Sequence, residues 1–234
     1  VILAGERLAS SPGALSAVSR LAASSGARLA WVPRRAGERG AVEAGTLPGL
    51  LPGGRPVADA AARVDIAAAW DVATLPADPG RDTTAILEAA VAGELGGLLV
   101  GGVDPDDLPD PRLARAALEV APFVVSLEVR ASDVTPHADV VFPVAPPAEK
   151  AGTFLDWEGR WRPFGPALSS NALPDLRVLD MLAAQAGEFL GLRGVDHARA
   201  QLGELGAWEG TRISAPSVPA TSPGRLAAPT ADGG

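Results

Sequence analysis

Apolar positions along this chain follow two periods. Short continuous runs occur at Val1 to Ala4, Ala27 to Val32, Leu98 to Val100, Phe123 to Val129 and Ala138 to Ala145, the length and Val/Leu richness of buried strands. Between them apolar residues recur at helical spacing: Leu15, Val18 and Ala22, then Ile86, Leu87, Ala90 and Val91, then Leu113, Ala116, Ala117 and Val120, and finally Leu179, Leu182, Ala186 and Phe189. Punctuation supports these helices. Ser11-Pro12 reads as an N-cap with a first-turn proline, Asp82 and Asp110-Pro111 as two further caps, and Gly26 as a stop. Strand, helix and strand in this order imply right-handed parallel units, because a parallel pair needs a crossover. Continuous apolar strands are those that helices cover on both faces. The predicted fold is therefore α/β, a doubly wound, mainly parallel sheet with helices on both faces, over residues 1–193. Residues 194–234 are expected to form a short helix and an extended tail rich in Pro, Ala and Gly.

The pattern lapses in two places before that tail. Between Arg34 and Arg55 glycine and proline replace the periodicity, ending in Leu50-Leu51-Pro52-Gly53-Gly54-Arg55. A structureless stretch of this length is uncommon inside a domain, and it reads either as a functional loop, or a relic of one, or as a surface Ω-loop held by its own leucines. After Ala145 comes a turn-rich excursion in which Trp157, Trp161 and Phe164 alternate with Arg160 and Arg162, and in which a short hairpin is possible.

Composition narrows the chemistry. The chain has 234 residues, is 47% hydrophobic and carries a formal charge of -8, which suits a sizeable core and disfavours nucleic acid as a partner, since phosphate binding needs a basic face. It has no cysteine, so it supplies no disulfide, no thiolate nucleophile and no thiolate for an iron-sulfur cluster. Its two histidines, His137 and His197, fall in different elements, so no His/Cys metal site is expected. No apolar run reaches the roughly 20 residues of a membrane span, so no direct span is predicted. The start at Val1, without Met and directly in a strand, suggests a segment of a longer polypeptide.

Four groups of residues are candidates for a site. The predicted strand ends carry Gly5-Glu6, Gly101-Gly102 with Asp104, and Glu128, where an open α/β sheet binds its ligands. Their glycines fit either close approach of backbone to a phosphate or an ordinary tight turn, and no GxGxxG or GxxxxGK[ST] accompanies them. Glu149, Asp156 and Glu158 form a carboxylate group that Lys150, Arg160 and Arg162 would hold ionised, which favours a charge network over acid-base catalysis. Asp133, Thr135, His137 and Asp139 read as turn and cap residues. Trp157, Trp161 and Phe164 with their flanking arginines fit an interface anchor or a hairpin packed on its own sheet.

The run Ala138-Asp139-Val140-Val141-Phe142-Pro143, followed by Glu149, Gly152, Thr153 and Glu158-Gly159-Arg160, resembles the "ADVVLP…E..GT..N.EGR" signature of the molybdopterin oxidoreductase superfamily. Gly40 to Gly53 resembles the loop that lies beside the pterin in catalytic members, and Gly101-Gly102-Val103-Asp104-Pro105 the "GxNP" turn. Within the superfamily the chain looks most like the large peripheral subunit of bacterial respiratory complex I. The resemblance implies a cofactor-cleft wall whose relic residues would be Gly5, Gly40, Glu43, Gly45, Gly101, Gly102 and Asp104. Three departures point away from cofactor binding: Asp104 replaces the usual Asn, Ser126-Leu127-Glu128 lacks the expected aspartate, and Trp157 replaces a small polar residue. The expectation is accordingly a scaffold without catalytic, cofactor-binding or metal-binding residues of its own. Glu149, Gly152, Thr153, Trp157, Glu158, Gly159, Arg160 and Trp161 would serve as structural or interface residues. The resemblance further implies 4Fe-4S and 2Fe-2S clusters in the N-terminal part of the full subunit. It also implies other complex I subunits as partners and a place on the cytoplasmic side of the bacterial plasma membrane. The alternative is a domain of an active molybdenum or tungsten bis-pterin enzyme such as a formate dehydrogenase or nitrate reductase.

Overall fold

The computed structural model describes residues 1–11, 13–33, 37–156 and 158–211. These fall into two compact units, 1–33 and 37–211. Pro12, Trp157 and the tail beyond Thr211 lie outside the described residues, so the expectations for them are not addressed.

The first unit is strand β1 (Ile2–Gly5), a 3-10 turn at Glu6–Ser10, helix α1 (Ala14–Ser25) and strand β2 (Leu29–Val32). β1 and β2 pair in parallel with Ile2 opposite Leu29, as the crossover pattern requires. α1 ends at Gly26, which takes the left-handed conformation expected of a stop. Its start differs from the expectation. The N-cap is Gly13, at φ +80°, without a side-chain cap, and Ser11 accepts from the Ala14 N–H through its carbonyl. β1 is not buried on both faces either: α1 packs against it and buries Ala4, while Leu3, on the alternate face, is 70% exposed.

The second unit opens with α2 (Glu38–Glu43), the two-residue strands β3 (Leu50–Leu51) and β4 (Arg55–Pro56), and α3 (Ala60–Ala69). The loop expected to lack structure therefore contains a helix and an antiparallel pair. α3 follows an Asp59 cap that accepts from the Ala61 and Ala62 N–H groups. Next come α4 (Thr83–Val91), β5 (Leu98–Gly101), α5 (Pro111–Val120), β6 (Val124–Glu128) and β7 (Val140–Pro143). Asp82 and Asp110 cap α4 and α5 as predicted. Strands β8 (Gly152–Leu155) and β9 (Trp161–Phe164) make the antiparallel hairpin that was possible from sequence, and α6 (Asp175–Gln185) and α7 (Val195–Leu205) complete the unit.

β5, β6 and β7 form a three-stranded parallel sheet with β6 central. On one face Leu118 of α5 packs with Val124 and Val134, and Leu98 and Val100 close around them. On the other, Val178 and Leu182 of α6 pack with Leu127, Val144 and Phe142. Helices thus cover both faces of this sheet, and the class is parallel α/β. The strands do not join one continuous sheet: β1–β2 and β5–β6–β7 are separate parallel sheets, and the other described strands form two antiparallel pairs.

The helical faces match the sequence reading in part: Ala90, Ala117 and Leu182 turn inward as expected, while neighbouring positions differ. α4 packs on α5, and the buried positions are Ala89 and Ala90 on one and Ala114, Ala117 and Leu118 on the other, leaving Ile86, Val91 and Val120 exposed. Small side chains let two helices approach closely, so the larger residues turn outward. In α6 Val178 and Leu182 turn inward and Leu179 is exposed, while Phe189 lies beyond the end of the helix and is exposed. The boundary expected after residue 193 falls between α6 and a helix, α7, that is hydrogen-bonded into the same unit.

Candidate functional site

The residues singled out near the hairpin converge on one region. Asp156 organises the turn between β8 and β9: its carboxylate accepts from the Glu158 and Arg160 N–H groups and from Arg162 Nε at 2.8 Å, and Gly159 closes the turn at φ +83°. The Arg160 N–H first, then the Arg162 guanidinium, hold the Asp156 carboxyl below the ordinary aspartate range against the opposing effect of partial burial. Glu158 pairs with Arg160 at 3.1 Å. This part of the expected charge network is present, with two changes. Lys150 binds Asp175 of α6, and Glu149 takes part in no ion pair among the described residues.

Gly152 and Thr153, at the start of β8, are held by Arg199 of α7. Its Nε donates to Thr153 Oγ1 at 2.6 Å and its terminal nitrogen to the Gly152 carbonyl at 2.7 Å. Between α2, the hairpin and α7 runs an apolar groove of about 580 Å³, to which Gly40, Thr153, Trp161 and Arg199 all contribute. A second groove, about 400 Å³, brings Glu43 beside Gly159 and Trp161. Trp161 is half exposed at the junction of the two.

The loop residues are committed to their own fold. Glu43 pairs with Arg39 at 3.0 Å, and its carbonyl accepts from the Gly53 N–H at 2.7 Å. Gly45 sits at φ +83° against the Leu51–Pro52 backbone, where a Cβ would lie 2.5 Å from the Leu51 carbonyl carbon. Gly40 faces the Leu155 main chain.

The strand-end candidates are divided between the two units. Gly5 ends β1 in the first unit, with open space about it. At the end of β5, the Gly102 N–H donates to the Leu127 carbonyl, and Asp104 caps the 3-10 turn Pro105–Asp107 by accepting from the Asp106 N–H at 3.0 Å. Neither groove includes Gly101, Gly102 or Asp104. Arg115 binds Asp106 and Asp133, and Asp139 accepts from the Val124 N–H at 2.7 Å, a strand-end cap. His137 lies in a 3-10 turn, as read from sequence.

Of three further polar centres, sequence reading named Glu128 as a strand end without its partners, and missed the other two. Glu128, 7% exposed, accepts from Ser126 Oγ at 3.1 Å and Ser132 Oγ at 2.8 Å through one oxygen, so a buried carboxylate at the end of β6 is satisfied by hydroxyls of its own chain. Arg55, 3% exposed, donates to Asp65, to the Pro52 carbonyl and to the last carbonyls of α7, and stacks over Trp208. Arg199 is the third. An arginine closing a Pro-Gly-Gly turn was the one available signal for Arg55. No group of three or more His, Cys, Asp or Glu able to hold a metal occurs among the described residues.

The fold and site define a parallel α/β segment with an appended hairpin and helix. No family model matches the chain. It is a homologue of a segment of the G subunit of NADH-quinone oxidoreductase: it is 57% identical over 95% of its length to that protein in Mycobacterium tuberculosis, and 55% identical over 97% to that in Streptomyces coelicolor. The chain spans 28% of the length of each of these relatives. More distantly, it is 33% identical over 62% of its length to 20% of a nitrate reductase of Symbiobacterium thermophilum. Among the described residues no helix is long and apolar enough to cross a membrane.

Proposed function

We propose that this chain is a non-catalytic scaffold segment of the large peripheral-arm subunit of an NADH-quinone oxidoreductase, drawn from its C-terminal, molybdopterin oxidoreductase-like region. Electron transfer from NADH to quinone would run through iron-sulfur clusters held elsewhere, since the chain contains no cysteine to ligate them. The 4Fe-4S and 2Fe-2S clusters belong in this reading to the N-terminal part of the full subunit. The segment stabilises the peripheral arm on the cytoplasmic side of the membrane and contacts neighbouring subunits, with half-exposed Trp161 as an anchor.

The observation that carries this reading is the closure of the loop at 40–53 upon itself. Glu43 is spent on Arg39 and Gly53, and Gly45 is pressed against Leu51–Pro52, at the place where the resemblance puts a pterin-binding loop. The turn after β5 supports it. A pterin nucleotide brings a pyrophosphate that needs free N–H donors and positive charge, whereas here the Gly102 and Asp106 donors are used internally and Asp104, Asp106 and Asp107 supply three carboxylates. These residues do not fit that group, and no reaction step is assigned to them.

The likeness to a nitrate reductase favours a second reading, an active bis-pterin oxidoreductase. Bulky replacements in the loop separate the two. Glu43→Phe and Gly45→Val in the full-length subunit should lower local stability while NADH oxidation per assembled complex stays near wild type. Loss of turnover with assembly intact would refute the scaffold reading.

A further inference from the structure

The helix α7 has no buried residue, although it closes the end of the second unit. Its apolar side chains Ala198 and Leu202 are partly buried and line two grooves: the one of about 580 Å³ shared with α2 and the hairpin, and another of about 650 Å³ shared with α3. A helix with partly but not fully buried apolar residues gains less from packing than a core helix does, and eleven residues are too few to be stable alone in water. Two arginines add polar latches to that packing. Arg199, within its length, donates to Thr153 Oγ1 and the Gly152 carbonyl of β8. At its other end Arg55 donates to the Leu205 carbonyl at 2.9 Å and the Gly206 carbonyl at 3.2 Å, a cation placed on the negative end of the helix. Arg55 is itself fixed by Asp65 and by Trp208, 5.6 Å from the ring centre.

Glycines flank the helix. Gly194 is its N-cap without a side-chain hydrogen bond, and Gly206 follows its last turn at φ +67°. Such residues tolerate the backbone rotation that a swinging element needs.

We propose that α7 is a detachable strap: it lies over the apolar groove between α2 and the β8–β9 hairpin, is latched at one point by Arg199 and at its C-terminus by Arg55, and opens as a unit while the β5–β6–β7 sheet stays folded. Opening removes the α7 wall of the groove, uncovering Ala41 of α2 and widening the exposure of Trp161, which is already half exposed. Elements held by few buried contacts open at lower free energy than the core, and that inequality is what a strap requires.

Hydrogen exchange followed by mass spectrometry on the full-length subunit tests this. In the unaltered protein the α7 amides should exchange faster than those of β6. Arg199→Ala removes one latch from a partly exposed position, so the fold should survive it. Exchange in α7 should then rise roughly ten- to hundredfold, the factor expected for losing hydrogen bonds to a charged group, with β6 unchanged. Arg55→Ala should do the same and also release Trp208, read as a change in tryptophan emission. If α7 and β6 exchange at one common rate in the unaltered protein, or if Arg199→Ala accelerates both equally, α7 is part of the cooperative core and the strap does not exist.

Discussion

The ring of Phe164 lies over the α-carbon of Gly152, its partner across the β8–β9 hairpin, so closely that a Cβ built on Gly152 would overlap the ring carbons. The same ring stacks on Phe154 at 5.0 Å. Glycine at this place thus lets an aromatic pair close over the start of the hairpin, which explains a Gly-Thr dipeptide that a cofactor site would explain differently. Gly152→Ala should cost about 1–3 kcal/mol through overpacking. Phe164→Leu in the same chain should recover part of the loss by making room. Thermal unfolding of both variants measures it, and a Gly152→Ala protein as stable as the original would rule out this packing role.

The turn of the hairpin is predicted to be acid-sensitive. Because the folded carboxyl of Asp156 is held below its ordinary range, its contribution is complete above the ordinary aspartate range and is lost as the pH falls through the lowered value. Amide exchange across residues 156–160 should therefore stay slow from neutral pH down through that range and accelerate only below it, after correction for the intrinsic rate. Asp156→Asn, which cannot ionise, should remove the pH dependence.

Glu128 offers a third test, since its burial is tolerable only while hydroxyls reach it. Ser132→Ala removes the 2.8 Å bond and should destabilise the unit by about 1–3 kcal/mol. Because Ser126 and Ser132 share one oxygen of Glu128, the double alanine variant should depart from the sum of the single ones. Denaturant titration of the three variants decides it, and strict additivity would show the two hydroxyls to be independent.

Much of the second unit was legible because its signals are local. Asp82 and Asp110 announce helices by bonding N–H groups two or three residues on, and the apolar runs at 98–100, 123–129 and 138–145 become parallel neighbours. What escaped notice had weak local contrast or none. α3 reads Ala-Ala-Ala-Arg-Val-Asp-Ile-Ala-Ala-Ala, in which apolar and polar faces scarcely differ, so no periodic signal marks it. α2 hides in a glycine-rich loop. The arginine latches are invisible for another reason: Arg55 meets Gly206 across 151 positions, and only the folded chain brings them together. The candidate site divided in the same way. The hairpin network around Asp156 follows from neighbours in sequence, whereas the meeting of Gly40 and Glu43 with Thr153 and Trp161 depends on tertiary packing.

The loop and the turn after β5 carry the proposal of a scaffold segment that binds no pterin. Molybdenum and tungsten content of the purified, assembled complex tests it most directly, measured by plasma mass spectrometry against its iron. The scaffold account predicts iron in the amounts of its clusters and molybdenum and tungsten only at trace level. One atom of either metal per subunit would contradict it and favour the active bis-pterin enzyme.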